Sequence, residues 1–232
     1  MLKHSASAAP PRMRRGVLPF LAVGVVAAVS ACSSISSSDI TGSGDLRTES
    51  RDVRGFSTIE LSGSGDVIIE QNGTESLSIE AEDNVLAELT SDVSSGTLRL
   101  GTTAGAALHS TLPITYRVTV TDLAGLRLAG SGSMTAAGIT TPAIAIDISG
   151  SGDVTVDGTA DSQTVTVSGS GNYSGGDLVT RNSTAEISGS GNIAVNALDV
   201  LDAEISGSGN TTYTGDPQVR QTISGSGGLR RE

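Results

Sequence analysis

Short polar side chains recur at one position of an internal repeat, and their types could bind a ligand. Each follows a Gly-Ser-Gly triplet directly, and the clearest five are Asp66, Asp153, Asn172, Asn192 and Asn210. Their oxygens could coordinate Ca²⁺, but calcium-binding β-rolls repeat aspartates about every nine residues, and here most residues are amides. Asparagines stacked at one level can instead hydrogen-bond as a ladder. We predict such a ladder along the corner that the glycine triplets form as the chain turns. It would face a ligand, with no metal and no other cofactor.

Residues that could support catalysis are scarce. The histidines are His4 and His109, and no lysine follows Lys3. Polysaccharide-active β-helix enzymes combine several carboxylates with basic residues on one face, a set that this chain barely supplies. The net charge of −11 argues against a nucleic-acid partner and against electrostatic docking onto anionic lipid. A non-catalytic protein is therefore favoured, with a β-helix polysaccharide-active enzyme as an alternative.

The N-terminus has the three parts of a secretory signal over residues 1–31. Four cationic residues precede the apolar run Gly16 to Val29, and Val29-Ser30-Ala31-Cys32 resembles a bacterial lipobox. This resemblance implies that Cys32 carries covalent lipid, which would anchor the protein at the membrane, facing outward. An ordinary cleaved signal and a transmembrane helix are the alternatives, although a span needs about 20 apolar residues. Residues 32–39 would then be the lipidated cysteine and a serine-rich tether.

The Gly-Ser-Gly triplets recur with a regular period. From Gly130 onward their first glycines are separated by 20, 19, 20, 18 and 18 residues. An aliphatic residue stands two positions before the first glycine of every triplet after Gly42: Leu61, Leu128, Ile148, Val167, Ile187, Ile205 and Ile223. Short alternating strands on both sides of a glycine turn cannot bury one apolar face alone, but stacked coils can. The sequence predicts an all-β fold, a parallel β-solenoid (β-helix) of about 20-residue coils over residues 40–232.

Between Gly63 and Gly130 the repeat is interrupted for 67 residues. We expect an irregular β half here that caps the solenoid. Strands are predicted at 76–81, 97–100 and 114–120, a helical turn or extended coil at 83–92, and a loop at 101–112. On a third, less regular side of the regular coils, apolar positions are expected at Ile139, Leu178, Leu198 and Val200.

Asp52-Val53-Arg54-Gly55-Phe56-Ser57-Thr58-Ile59, followed by Leu61-Ser62-Gly63-Ser64-Gly65-Asp66-Val67, resembles the opening of the family called putative auto-transporter adhesin, head GIN domain. The later Ser-Gly-Ser-Gly-Asn/Asp coils resemble its repetitive part. The resemblance implies a secreted or lipid-anchored bacterial β-solenoid, with no catalytic residues to transfer. The function expected is an adhesin-like binding module that contacts an envelope glycan or protein. A structural spacer that self-assembles into homo-oligomers is a further alternative.

Overall fold

A computed structural model describes residues 38–232. Cys32 and the predicted signal lie outside the described residues. Within residues 38–232, no helix has the length and apolar character needed to cross a membrane.

The described chain is built almost entirely of strands, with one helical turn, α1 (Asp83–Leu86). The strands of the N-terminal half are β1 Ser38–Thr41, β2 Leu46–Arg51, β3 Thr58–Gly63, β4 Asp66–Gln71, β5 Ser76–Glu82, β6 Leu89–Ser94, β7 Thr97–Thr102, β8 Ala106–His109 and β9 Thr115–Val120. The strands of the regular coils are β10 Gly125–Gly130, β11 Ser133–Gly150, β12 Asp153–Gly169, β13 Asn172–Gly189, β14 Asn192–Gly207, β15 Asn210–Thr214, β16 Gln218–Gly225 and β17 Gly228–Arg231.

The regular coils stack in parallel, each on the one before it. Strands β10 to β14 follow one another in the sheet, and every corner glycine pairs with the corner glycine of the next coil, as Gly150 does with Gly169. The result is a β-solenoid of about five turns with coils about 20 residues apart, which confirms the predicted fold. Where two short strands per coil were expected, β11, β12 and β13 each run from one corner to the next, with register shifts at their bends.

Aliphatic columns form the core. The column two residues before the corner glycine is at most 2 % exposed from Leu61 to Ile205. Ile139 and Leu178 are buried as expected, but Leu198 is 49 % exposed, so its predicted inward position is wrong. The register of β13 with β14 shifts between Thr180 and Asn182, and this irregularity turns Leu198 outward.

The corner glycines leave no volume for a side chain. At Gly189, where φ is +151°, a Cβ would overlap the carbonyl of Gly169 in the preceding coil. That carbonyl accepts the N–H groups of Ser190 at 2.8 Å and Gly191 at 3.2 Å. A Cβ at Gly191 would lie 2.6 Å from Cγ1 of Val167, inside the core. Both glycines of the triplet are therefore required by stacking.

The interruption between Gly63 and Gly130 is an excursion away from a continuous stack. Strand β3 pairs directly with β10, so that Leu61 lies next to Leu128 as if no residues intervened. The excursion returns above this coil, where β7 pairs with β3 and β9 pairs with β4. Antiparallel strands β2, β5 and β6 complete this end, which agrees with the expected irregular cap.

Two expectations for this half are refined. Residues 83–92 contain both the helical turn α1 and the start of β6. The loop expected at 101–112 is partly wrong, because β8 lies within it and pairs in parallel with β1. Strand β8 forms by pairing with this distant partner, and its small residues do not by themselves predict a strand.

Candidate functional site: a side-chain ladder along one corner

The five polar residues predicted from the repeat lie in one row along a corner of the solenoid. The amide of Asn210 donates to Oδ1 of Asn192 at 3.3 Å, and Asn192 donates to Oδ1 of Asn172 at 2.9 Å. Asn172 in turn donates to Oδ1 of Asp153 at 2.8 Å. We call this row, together with Asp66, the corner ladder. It rests on the first residue of each strand, which the stacked glycines hold in register.

Ser133 lies between the two carboxylates of the row. It pairs with Asp66 on one side and with Asp153 on the other, and its hydroxyl donates to Oδ1 of Asp66 at 2.6 Å. The coil that contains Ser133 therefore separates the two acids, which limits repulsion between them. At the other end Asn210 is followed by Gly228, which offers no side-chain donor to its Oδ1. The ladder thus runs from a carboxylate end to a free amide oxygen.

The ladder can exchange hydrogen bonds with a ligand. Each amide has two N–H donors and uses one of them within the row, so the second is available. Asp66, Asp153, Asn192 and Asn210 are exposed, and Asn172 is partly exposed. Aligned amides reinforce one another's polarity, and the negative charge of Asp153 stands at their donor end. This arrangement suits recognition of hydroxyl groups along an extended molecule.

Among residues 38–232, the one histidine lies outside this row. His109 is an exposed residue of β8, with Nε2 3.5 Å from Oδ1 of Asp39 in β1. Among residues 38–232 no group of three or more His, Cys, Asp and Glu side chains is placed to hold a metal ion.

A second polar centre, which the sequence did not predict, closes the N-terminal half. Glu82 is 0 % exposed, and its carboxylate accepts the N–H of Gly44 at 2.8 Å and the hydroxyl of Ser110 at 2.9 Å. The backbone N–H and the hydroxyl of Thr111 donate to it as well. A Cβ at Gly42 would overlap this carboxylate. The first Gly-Ser-Gly triplet, 42–44, is therefore a cradle for Glu82 and not a coil corner.

Hydrogen bonding controls the ionisation of this carboxylate. Hydrogen bonds lower the pKa of Glu82 to about 2: the hydroxyl of Thr111 has the largest effect, the N–H of Gly44 and the hydroxyl of Ser110 add to it, and burial opposes them. The hydroxyl of Ser43 likewise lowers the pKa of the neighbouring Asp83. Both acids are thus held in the charged form, and together they fasten residues 42–44 to the end of β5.

A third polar centre lies inside the coils. The hydroxyl of Tyr173 donates to Oε1 of Gln163 at 2.9 Å, and Nε2 of Gln163 donates to Ser183 at 3.0 Å and to Thr180 at 3.2 Å. All four residues are at most 2 % exposed, and burial raises the pKa of Tyr173. Gln163 is paired with Ile144 of the preceding coil. A polar residue in an aliphatic column was the sequence signal that could have predicted this buried cluster. The cluster is enclosed and has the geometry of a structural network.

The fold and the corner ladder together define a parallel β-solenoid that carries polar columns on its surface. The chain belongs to the family described as putative auto-transporter adhesin, head GIN domain, whose model matches residues 55–217. This finding confirms the family that the repeat indicated.

Solved structures show the same fold. A putative adhesin from Bacteroides fragilis is 25 % identical with a TM-score of 0.70, over 83 % of this chain and 100 % of that one. A putative adhesin from Parabacteroides distasonis is 20 % identical with a TM-score of 0.56, over 84 % of this chain and 100 % of that one. A putative lipid binding protein from the same organism is 25 % identical with a TM-score of 0.53, over 84 % and 100 %. No curated protein matches the chain.

The Glu82 cradle generates a prediction about stability and pH. A carboxylate whose pKa is depressed in the folded state stabilises that state above its unfolded pKa of about 4.3, and the contribution disappears as the pH falls through the folded value. Glu82→Gln should therefore lower the free energy of unfolding at neutral pH, and the difference from the parent should shrink between about pH 5 and about pH 2. Urea unfolding followed by circular dichroism at several pH values measures this.

Glu80→Gln is the matched control, since it removes the same charge two residues earlier on β5 without touching the cradle. It should unfold close to the parent at every pH. An equal loss in both variants, or a Glu82→Gln deficit that does not depend on pH, contradicts the role given to the cradle.

Proposed function

We propose that this protein is a non-catalytic, adhesin-like binding module of the bacterial envelope, anchored by lipid at Cys32, and that its corner ladder binds a neutral glycan. The observation that carries the proposal is the hydrogen-bonded row from Asp153 to Asn210 on an exposed corner. The names of related solved structures, adhesins and one lipid binding protein, support a binding role for the family.

The charge of the chain favours a neutral ligand. Residues 38–232 contain ten arginines and twenty-five acidic residues, with two acids in the ladder itself. An anionic polymer would be repelled by this field, whereas the hydroxyls of a neutral glycan can both donate to ladder oxygens and accept from ladder N–H groups. The ladder would thus recognise its ligand through hydrogen bonds and not through ion pairs.

A stacked backbone suits this task because it keeps the donors in place before a ligand arrives. Each ladder residue is the first residue of its strand. Asp153, Asn172 and Asn192 are each paired with a residue of the coil before and of the coil after. Binding to such a preorganised row loses little conformational entropy, which matters where each hydrogen bond contributes only about 1 kcal/mol.

The ladder proposal is tested by a paired substitution. Asn172→Ala with Asn192→Ala removes two adjacent members, and we expect a roughly tenfold loss of affinity for the best ligand, since two hydrogen bonds are worth about 1–2 kcal/mol together. The probe is an array of neutral polysaccharides, including envelope glycans, with affinity then measured by calorimetry.

The matched control is Thr164→Ala with Thr184→Ala, which shortens two paired polar side chains of adjacent coils that lie before the corner glycines and outside the ladder. This variant should bind as the parent does. Binding that is equal in both variants contradicts a ladder site, absence of any glycan signal favours a spacer, and release of shortened glycan products contradicts a non-catalytic role.

The anchor is tested separately. Cys32→Ala removes the only thiol of the chain, and we expect the protein to move from the membrane fraction to the soluble fraction, because stable anchoring depends on attached acyl chains. Fractionation of cells with immunoblotting measures the distribution. Ser33→Ala is the control and should remain with the membrane. A Cys32→Ala protein that stays fully in the membrane fraction shows that the lipid is not the anchor.

A further inference from the structure

The coil containing β16 leaves its apolar residues uncovered. Within residues 38–232, β16 pairs with β14 on one edge and has no strand on the other. Val219 is 38 % exposed and Ile223 is 40 % exposed, whereas their counterparts Leu201 and Ile205 one coil earlier are 0 % exposed. The free edge of β16 is therefore equivalent to the edge that, in each earlier coil, is covered by the next coil.

The opposite end of the solenoid is closed. There the side chains of Val53, Phe56, Val85, Leu86 and Leu89 cover the interior, and none of them is more than 5 % exposed. At the β16 end a cavity of about 380 Å³ opens beside Thr211 and Leu229, and the buried hydroxyl of Thr211 has no hydrogen-bond partner among the described residues. The two ends of the solenoid thus differ. In a head-to-tail stack, the open β16 end of one copy would meet the closed end of the next copy, which offers no matching surface.

Edge protection is weak along β16. Proteins usually shield an exposed edge strand with charges, prolines inside the strand or bulges. The eight residues Gln218–Gly225 contain one charge, Arg220, and no proline. An unshielded edge of this length with exposed Val219 and Ile223 is a pairing site for another strand.

Charge favours a second copy of this chain as the occupant. Residues 210–232 contain three arginines and two acids, whereas residues 38–209 contain seven arginines and twenty-three acids. Two copies that meet through their β16 ends place their least acidic parts together and keep their acidic bodies apart.

We propose that β16 of two copies pair in an antiparallel arrangement about a two-fold axis at Gln221, which makes a closed dimer. A two-fold axis normal to the sheet leaves each side chain on its own face of the sheet. The pairing is therefore consistent only if residues that point into the interior are paired with residues that also point into the interior. In this register Val219 lies opposite Ile223 of the partner subunit, and Gln221 lies opposite the partner's Gln221. Arg220 lies opposite the partner's Thr222, so no like charges are opposed.

This register gives Gln221 a role. The six earlier members of its column are apolar: Ile59, Leu126, Ile146, Val165, Ala185 and Ala203. An amide carries both donors and an acceptor, so two glutamines on a two-fold axis can satisfy each other across the junction of the two interiors. The polar exception thus stands where the proposed interface requires a self-complementary group.

Cysteine cross-linking tests the register. Gln221→Cys in the full chain carrying Cys32→Ser leaves one thiol, and mild oxidation should give a covalent dimer. Directly opposed antiparallel residues have Cα atoms about 4.5–5.5 Å apart, within the about 4.4–6.8 Å that a disulfide spans. Gln218→Cys in the same background is the matched control. It lies opposite Ser224 of the partner subunit, about 20 Å from its own counterpart along the strand, and should stay uncross-linked.

Sedimentation equilibrium tests the dimer itself. The Cys32→Ser chain should sediment as a dimer, Gln221→Lys should raise the dimer dissociation constant at least about tenfold because two ammonium groups meet on the axis, and Gln218→Lys should have little effect. Circular dichroism checks that the variants are folded, and the cross-linking result stands independently of it. A monomer at all concentrations, equal cross-linking of both cysteine variants, a dimer that resists Gln221→Lys, or an open series of oligomers overturns the proposal.

Discussion

The contact between the corner glycines of successive coils is the interaction on which the structure depends. The carbonyl of Gly169 receives two N–H groups of the next coil at a point where neither chain carries a side chain. This close approach sets the register of the coils, and the register places Val167 on Ile187 inside and Asn172 on Asn192 outside. Core and ladder are therefore two consequences of one backbone contact.

That dependence explains why so much of the fold could be predicted from the sequence. A glycine pair that must recur in every coil leaves a period, and columns at fixed offsets from it reveal which side chains share a level. Leu61, Ile148 and Ile205 could be assigned to one buried column without knowledge of any distance. The same reasoning placed Asp153, Asn172, Asn192 and Asn210 in one row, although their contact with a ligand remains a prediction.

Features that do not repeat escaped prediction. The Glu82 cradle joins residues 38 positions apart in the chain, and no local pattern links Gly44 to Glu82. Strand β8 is defined by its pairing with β1, far away in sequence. Leu198 turns outward because of an irregular register, which alternation alone does not reveal. Each of these follows from a single long-range contact, for which one sequence contains one example and no repetition.

Stacking requires the triplet glycines, which are neither a flexible linker nor a ligand loop. Thermal and urea unfolding of Gly191→Ala, compared with Ser190→Ala at the exposed neighbouring position, tests this requirement directly. We expect Gly191→Ala to lower the free energy of unfolding by about 1–3 kcal/mol or more, because a methyl group enters a filled space. Ser190→Ala should change it by no more than about 0.5 kcal/mol. Equal stability of the two variants would show that stacking does not require the glycine at position 191.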